Sequence, residues 1–222
     1  EFSTPSFPVR YVPFTENIGY TRGVNEGIRH AHGDYILIVN PDIIPLTGAI
    51  ASLQTYLQSH QHVGLVGPQL LHFDGTRQDS CFRFYKPSTI LFRRTPLGKL
   101  PWAKKALAWF AMKDTDTSHT MPVGWLMGSA LMTTKKAIEK IGTMDEQFFL
   151  YMSEVDWARR FWENGYQVMY YLDAQMYHYH HRHSRSWLGM FDALFNRQTH
   201  QHILDALRYF KKYGLHQHSH VQ

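Results

Sequence analysis

Apolar and polar positions alternate along the chain with two different periods, and the first part of the chain predicts strands and helices in turn. Residues 9–14 have the composition of a short strand. Apolar side chains then recur at helical spacing from Tyr20 to Ala31, until Gly33 ends the helix. The run 35–39 is apolar throughout, which is expected of a strand buried on both faces of a sheet.

A second helix and a third strand follow the turn at residues 40–42. Thr47 is predicted to cap this helix, and the apolar run 63–67 is the next strand. Strands that are joined through a helix in this order lie parallel in one sheet. The pattern therefore predicts an α/β fold with a mostly parallel sheet flanked by helices.

The second half of the chain predicts a hairpin, further strands and more helices. Asp74-Gly75 is a hairpin turn signal, and 125–132 has the pattern of an apolar strand. Ser153 is predicted to cap a helix with Asp156 as its capping-box partner, and the strand 167–172 follows. The remainder is helical and basic. We therefore expect an antiparallel hairpin region and C-terminal helices beside the main sheet.

Two units are expected along the chain. Residues 1–184 form the main domain, and residues 185–222 form a helical extension with a polar, His-containing tail. The main domain carries a basic aromatic insertion at about 83–113, with eight Lys or Arg residues and no acidic residue. Its aromatic residues include Phe84, Tyr85, Phe92, Trp102, Trp109 and Phe110.

Three interpretations of the segment 83–113 stay open. Cations beside aromatic rings suit an anionic membrane surface. The same pattern suits stacking on single-stranded nucleic acid. The third interpretation is a solvated loop with some of its aromatic rings tucked into the core.

Bulk composition narrows the partners only slightly. The 222 residues carry a formal net charge of +5, which favours anionic partners, but 23 basic against 18 acidic residues is too mild an excess to indicate nucleic acid. The single cysteine, Cys81, excludes a disulfide framework and favours the cytoplasm. No apolar run approaches the ~18 residues that cross a bilayer. We therefore expect a cytoplasmic protein, peripheral at the inner face of the membrane where segment 83–113 binds lipid, with no nucleic-acid partner.

The tripeptide Asn40-Pro41-Asp42 is a candidate metal site. It follows an apolar strand, and ligands of open α/β sheets bind beyond the carboxyl ends of the strands. A carboxylate there suits Mg²⁺ or Mn²⁺ that bridges two phosphates, although a plain turn that leaves the strand is the more common explanation of such a tripeptide taken alone. His178 or His180, just after another apolar strand, is a candidate further metal ligand or phosphate-binding group. The other histidines of the cluster, His181 and His183, are expected to face solvent.

Glu154 and Asp156 are candidates for proton transfer. Both lie on the first turn of a predicted helix, where the helix dipole keeps carboxylates ionised and able to accept a proton. Acidic residues are also common there for capping alone, so Asp156 has both explanations.

Together these segments resemble the family-2 glycosyltransferases, and more closely their bacterial rhamnosyltransferase-like branch. The matching segments are 17–20 with Asn25 and Gly27, 32–37, 40–42, 124–130, 142–151, 154–156, 165–166 and the His-rich segment with Ser184. Each motif is short. Their number, their order and their coverage of nearly the whole chain make the resemblance specific.

The resemblance implies a GT-A fold, a nucleotide-diphosphate sugar donor, Mg²⁺ or Mn²⁺, and inversion at the anomeric carbon. Asp42 matches the metal-binding aspartate of the family, with Asn40 two positions before it. Glu154 matches the usual general base, and Asp156 matches a further aspartate. His178 or His180 would lie near the diphosphate. The residues implied to bind donor or acceptor are Asn17, Gly19, Asn25, Asn40, Trp125, Gly128 and Ser129.

The resemblance also implies a substrate class. Rhamnose from a thymidine-diphosphate donor is the expected sugar, and a lipid-linked or polysaccharide acceptor is the expected partner, as in the biosynthesis of cell-surface polysaccharides. Two departures bear on this. Ser153 takes the first position of the family's acidic pair, and the N-terminal βαβ unit that holds the nucleotide base is expected to be missing, because only residues 1–8 precede the first predicted strand. The chain alone is therefore expected to bind nucleotide weakly.

Two other functions fit parts of the pattern. A nucleotidyltransferase also uses an α/β sheet and a metal-bound carboxylate, although no phosphate loop rich in Gly and basic residues is found near the start. A non-catalytic carbohydrate- or nucleic-acid-binding module fits if Ser153 marks a decayed active site. Sugar transfer or donor hydrolysis by the full-length protein separates these alternatives.

Overall fold

Apolar strands form the centre of the protein. The structure is a computed structural model that describes residues 7–179 and 197–214. The strands are β1 (Tyr35–Val39), β2 (Ile43–Pro45), β3 (Val63–Leu71), β4 (Cys81–Phe82), β5 (Met121–Pro122), β6 (Trp125–Leu126), β7 (Ala130–Thr134) and β8 (Gln167–His178). The helices are α1 (Gly19–His30), α2 (Ala49–Ser59), α3 (Pro87–Arg94), α4 (Pro101–Phe110), α5 (Lys135–Ile141), α6 (Ser153–Glu163) and α7 (Arg197–Tyr213), with a 3-10 turn at Pro96–Lys99.

The main sheet is mixed, with strand order β1-β7-β3-β8-β2 and β5 paired to β8. Among the described strands, only the β3–β8 pairing is parallel. Because β1 and β3 both pair antiparallel with β7, the strands β1, β3 and β8 nevertheless run in one direction, and they hold most of the residues of the sheet. The predicted α/β fold is confirmed. The strand–helix–strand unit β1–α2–β3 is parallel in direction, but β7 lies between its two strands.

Each face of the sheet carries its own core, because successive residues of a strand point to opposite faces. On β3, Leu65 belongs to the larger core, to which α6 contributes Trp157 and Phe161. The next residue, Val66, belongs to the second core, to which α2 contributes Leu53. Helices therefore cover both faces, as in other α/β folds.

Two expectations about the first strands are wrong. Residues 9–14 form no strand, and Val9, Tyr11 and Phe14 are exposed because no described strand offers this segment a hydrogen-bonding partner. The strand β1 is not buried on both faces either. It pairs only with β7 among the described strands, and Val39 at its end is 45% exposed.

The predicted helix caps are also wrong. The N-cap of α2 is Gly48, with φ of +82°, and not Thr47. The N-cap of α6 is Met152, with φ of +67°, and not Ser153. Neither helix has a side-chain cap, because a residue in the left-handed conformation turns the chain into each of them. Asp156 consequently serves no capping box and is available to other partners.

The middle of the chain agrees with its pattern in part. Asp74-Gly75 forms a turn closed by the antiparallel bridge between Leu71 and Arg77, so the hairpin is confirmed. The apolar run 125–132 is two strands, β6 and β7. The segment 83–113 contains α3, the 3-10 turn and α4, so it is not the plain loop of the third interpretation.

The C-terminal helix packs on the main body. Ala206 and Tyr209 of α7 are buried in the larger core together with strands and helices of the main sheet. The expected unit boundary at 184/185 and the tail beyond Gly214 lie outside the described residues. Within the part of the chain that is described, no helix is both long enough and apolar enough to cross a membrane.

We expect Asn25→Ala to destabilise the fold by about 2–4 kcal/mol. The Asn25 side chain is buried on α1, donates to the Met144 carbonyl oxygen at 2.8 Å, and accepts from the Met144 N–H at 3.0 Å. Its loss leaves both backbone groups without partners. Denaturant unfolding measures the change, with the exposed Asn17→Ala as the control expected to change stability by less than about 1 kcal/mol. Equal effects of the two substitutions would contradict this account.

Candidate active site

Several polar groups predicted from separate parts of the sequence meet at one end of the sheet. Asn40, which follows β1, donates its backbone N–H to the carbonyl oxygen of Ser129 at 2.9 Å. Tyr179, which follows β8, donates its N–H to the carbonyl oxygen of Asp42 at 2.9 Å. His178 Nε2 lies 3.5 Å from Asp42 Oδ2 and 3.4 Å from Ser129 Oγ. The structure thus brings Asn40, Asp42, Ser129 and His178 together.

Gln78 fixes the tautomer of His178. The Gln78 amide nitrogen donates to the His178 carbonyl oxygen at 2.9 Å, which can only accept, so Gln78 Oε1 must be the atom 2.8 Å from His178 Nδ1. That oxygen accepts, and Nδ1 therefore carries the proton. The lone pair is on Nε2, on the side of Asp42, which is the arrangement of a histidine that binds metal.

Asp42 has an unusual carboxylate. Its Oδ1 atom is buried and has no hydrogen-bond partner among the described residues. A buried carboxylate oxygen without a donor is costly, and a divalent cation would satisfy it. No group of three or more His, Cys, Asp or Glu side chains in the described ranges could hold a metal ion, so Asp42 and His178 would supply two ligands. Mg²⁺ and Mn²⁺ fit such a site, because substrate phosphate oxygens complete their coordination.

Glu154 is the predicted base. It lies on the first turn of α6 and is partly buried. Its pKa is raised to about 7, chiefly by burial and to a smaller extent by the negative charge of Asp205. The Ser153 hydroxyl opposes this by donating to Glu154 Oε2 at 3.2 Å. A carboxyl group with a pKa near neutral pH both accepts and releases a proton readily.

Tyr20 interacts with Glu154 and with the backbone next to Ser129. Burial raises the pKa of the Tyr20 phenol, and the charge of the nearby Glu154 raises it further, so the phenol keeps its proton. It donates to the Gly128 carbonyl oxygen at 2.7 Å. A Cβ atom at Gly128 would lie 2.8 Å from the Tyr20 hydroxyl, so a larger residue there would displace that side chain. Gly128 precedes Ser129, so Tyr20 interacts electrostatically with Glu154 and is hydrogen-bonded to the backbone next to the residue beside His178.

Asp156 makes a different set of contacts. Its carboxylate is fully buried, lies 2.9 Å from Arg160 Nε, and accepts from Lys212 and Tyr213 at 2.6 and 2.7 Å. These partners join α6 to α7. The side-chain contacts of Asp156 therefore hold α6 against α7. They do not include Tyr20, Ser129, His178 or Asp42.

Four other predicted site residues have structural contacts. Asn17 Oδ1 accepts from the Gly19 N–H at 3.0 Å, and a side chain at Gly19 would clash with the Phe149 backbone. Asn25 holds the Met144 backbone, as described above. Trp125 is buried, stacks on aromatic rings, and donates to the Arg83 carbonyl oxygen at 3.0 Å. None of these contacts involves Ser129, His178 or Asp42. His180 lies outside the described residues.

Sequence reasoning missed three residues of this region: Gln78, Tyr20 as a linking group, and Asp205. Gln78 is buried behind His178, but nothing in its sequence surroundings indicates a buried amide. Tyr20 is part of the matching segment 17–20, which could have indicated its role. Asp205 lies far along the chain on α7, and only the packing of α7 places it near Glu154.

Similarity to known proteins identifies the family of the chain. The family model described as glycosyl transferase family 2 matches residues 1–120. An N-acetylglucosaminyl-diphospho-decaprenol L-rhamnosyltransferase of Mycobacterium tuberculosis is 28% identical over 188 residues, which are 79% of this chain and 60% of that protein. The low-salt glycan biosynthesis hexosyltransferase Agl10 of Haloferax volcanii is 28% identical over 156 residues, which are 68% of this chain and 46% of that protein.

Structural similarity supports the fold. The crystal structure of GalNAc-T7 with UDP, GalNAc and Mn²⁺ superposes with a TM-score of 0.56 at 11% identity, over 82% of this chain and 35% of that one. The chain spans about 60% of the length of the rhamnosyltransferase relative. Since the family model covers more than half of its residues, the chain belongs to the family-2 glycosyltransferases, which are enzymes with a GT-A fold.

Proposed function

We propose that this chain carries the base and the metal-binding residues of an inverting glycosyltransferase, which moves a sugar from a nucleotide-diphosphate donor to a hydroxyl group of an acceptor. The observation that carries the proposal is the double interaction of Tyr20, whose phenol interacts electrostatically with Glu154 and donates to the carbonyl oxygen of Gly128, the residue before Ser129. Ser129 in turn lies beside His178, which lies beside Asp42. This arrangement relates the proposed base to the side chains proposed to hold the cation. In the proposed transfer the base acts on the acceptor hydroxyl and the cation on the diphosphate of the donor, so the two groups have to lie near each other.

In the proposed reaction Glu154 removes the proton of the acceptor hydroxyl. The deprotonating oxygen attacks the anomeric carbon from the face opposite the nucleotide, the bond from that carbon to the diphosphate oxygen breaks, and the nucleoside diphosphate leaves with the bonding electrons. A pKa of about 7 supports this role, since half of the Glu154 side chains are ionised at neutral pH. The Ser153 hydroxyl favours the ionised form by donating to it.

Asp42 and His178 would hold the divalent cation, with Asn40 beside them. Support comes from the buried Asp42 Oδ1 atom without a partner and from the tautomer that Gln78 imposes on His178. A bound Mg²⁺ or Mn²⁺ supplies positive charge next to the departing diphosphate. Ser129, whose hydroxyl is 3.4 Å from His178 Nε2, and Gly128 would line the sugar pocket between the two ends.

Rhamnose from a thymidine-diphosphate donor is the proposed sugar, and a lipid-linked acceptor is the proposed partner. The relative from Mycobacterium tuberculosis is named as a transferase of L-rhamnose to N-acetylglucosaminyl-diphospho-decaprenol, which supports a polyprenyl-linked acceptor for this chain. Such an acceptor places the reaction at a membrane surface. We propose the cytoplasmic face, and cell-surface polysaccharide biosynthesis as the process served.

Glu154→Gln should lower kcat by about 10²- to 10⁴-fold, because the amide keeps the shape of the side chain but accepts no proton. Transfer from thymidine-diphosphate rhamnose to polyprenyl-diphosphate-linked N-acetylglucosamine is measured with the full-length protein. Donor affinity, measured by calorimetry, should change little. Glu139→Gln on the exposed side of α5 is the matched control and should keep normal turnover. A near-normal rate of Glu154→Gln would remove this residue from the role of base.

Asp42→Asn should weaken Mn²⁺ binding by at least about tenfold, and Gln78→Leu should weaken it by about 10–100-fold through His178. Water-proton relaxation of Mn²⁺ solutions containing thymidine diphosphate measures binding without turnover. Asp173→Asn, an exposed carboxylate on β8, is the control and should leave affinity unchanged. Equal Mn²⁺ affinity in all three variants would show that the cation binds elsewhere.

The middle of segment 83–113 supports the membrane interpretation. Tyr85 and Phe110 are buried in the core, so the ends of the segment are structural. Between them, residues 91–105 expose apolar and basic side chains together. The exposed apolar residues are Leu91, Leu97, Leu100 and Trp102, and the exposed basic residues include Lys99, Lys104 and Lys105. We name this the 91–105 surface and propose that it contacts anionic lipid near the acceptor.

The triple variant Lys99→Glu, Lys104→Glu and Lys105→Glu should bind anionic vesicles at least about tenfold more weakly, since each basic residue near such a surface contributes about 1 kcal/mol. Co-sedimentation with phosphatidylcholine vesicles, with and without phosphatidylglycerol, measures this. The control is the double variant Lys135→Glu and Lys136→Glu, which reverses the charge of two exposed lysines on α5 and should still bind the anionic vesicles. Indifference of the unaltered chain to phosphatidylglycerol would refute the lipid contact.

A further inference from the structure

A buried carboxylate on α7 binds the backbone of the segment that leads into α6. Asp205 is fully buried, and its two oxygens accept from the N–H groups of Phe149, Leu150 and Tyr151 at 3.4, 3.2 and 3.0 Å. Three successive N–H groups that point at one anion form a nest, a backbone shape normally used to bind a free anion. Here the anion is a side chain of the same protein.

We propose that Asp205 is a positioning residue for the general base, and that its carboxylate holds the 149–151 backbone so that α6 begins with Glu154 in place. This inference rests on the proposed function of Glu154. The residue between the nest and α6 is Met152, which is buried and has a φ of +67°. A non-glycine residue in this conformation costs roughly 1–2 kcal/mol and persists only where its neighbours impose it. The nest directly precedes it.

The carboxylate of Asp205 is itself held from α7. Gln201 Nε2 donates to Oδ1 at 2.9 Å and Arg208 Nη1 donates to the same oxygen at 3.0 Å. Arg208 also donates to the Gln147 carbonyl oxygen at 2.9 Å. Asp205 is therefore a fixed point, and the segment ahead of α6 is arranged around it.

Asp205 also contributes charge to the surroundings of Glu154. Among the described residues, Glu154 interacts electrostatically with the Tyr20 phenol from α1, the Tyr85 phenol ahead of α3 and Asp205, and it accepts a hydrogen bond from the Ser153 hydroxyl. Of these, only Asp205 carries a negative charge, and it adds to the effect of burial in raising the pKa of Glu154. We thus propose that one side chain, Asp205, both holds the segment ahead of Glu154 and supplies the negative charge that acts on the Glu154 carboxyl group.

The test compares Asp205→Asn with Lys212→Met in the intact chain. Asparagine removes the charge and one acceptor, so amide hydrogen exchange of Phe149, Leu150 and Tyr151 should accelerate at least about tenfold. Lys212→Met removes the contacts of Lys212 with Asp156 but keeps the Asp205 carboxylate. It should leave the three amides protected. Unchanged exchange in Asp205→Asn, or equal acceleration in Lys212→Met, would overturn the proposal.

A titration separates positioning from general support of the fold. The Glu154 carboxyl carbon is followed by ¹³C NMR across pH in the labelled chain, and its signal is assigned by its loss in Glu154→Gln. Its midpoint, about 7 in the unaltered chain, should fall by at least about half a pH unit in Asp205→Asn and stay in place in Lys212→Met. A residue that only supports the fold would not move this midpoint, and no movement would overturn the charge effect.

A second variant covers the case in which Asp205→Asn does not fold. Asp205→Glu keeps the charge and lengthens the side chain by one methylene, so exchange at Phe149 to Tyr151 should accelerate while the midpoint of Glu154 stays near 7. Neither measurement uses sugar transfer. Failure of the proposed function would appear as normal turnover in Glu154→Gln, whereas failure of this inference would appear as unchanged exchange with Glu154 still required.

Discussion

The antiparallel pairing of β7 with β1 is the contact on which the rest of the site depends. Because the two strands run in opposite directions, β7 begins where β1 ends, and Val39 lies opposite Ala130. The residue before β7, Ser129, therefore stands beside Asn40. The parallel pairing of β8 with β3 brings the end of β8, with His178, to the same edge. A parallel strand in the place of β7 would begin at the opposite edge and leave this end of the sheet without its hydroxyl.

The sequence predicted the parts of the fold that depend on local pattern. Apolar runs predicted the strands β1, β3 and β8. The resemblance to the family indicated Asp42, Glu154 and His178 as site residues. The roles of these three residues stay predictions. Membership of the glycosyltransferase family decides against the nucleotidyltransferase alternative. What the pattern could not supply depends on contacts between distant segments. Strand periodicity does not show which strands are neighbours, and the caps at Gly48 and Met152 depend on backbone conformations that no polar residue marks.

Three acidic residues of this region differ in their burial and in their hydrogen-bond donors. Asp156 and Asp205 are fully buried, and each is bound by several donors, including an arginine. Glu154 accepts from the Ser153 hydroxyl, and its folded pKa of about 7 exceeds its ordinary value. Its protonated form therefore stabilises the fold at acidic pH, and this contribution is lost as pH rises through about 7. Asp156 holds α6 against α7 and Asp205 holds the 149–151 backbone, while the pKa of Glu154 lies near neutral pH.

The contact of Asp205 with the 149–151 backbone has a consequence for how the protein is made. During synthesis Glu154 leaves the ribosome well before α7 does, so the sheet and α6 can form while the nest still lacks its anion. Until α7 docks, the N–H groups of residues 149–151 lack the Asp205 carboxylate that holds them in the folded chain. The nascent chain can thus acquire most of its hydrophobic core before the segment ahead of Glu154, the proposed base, is fixed.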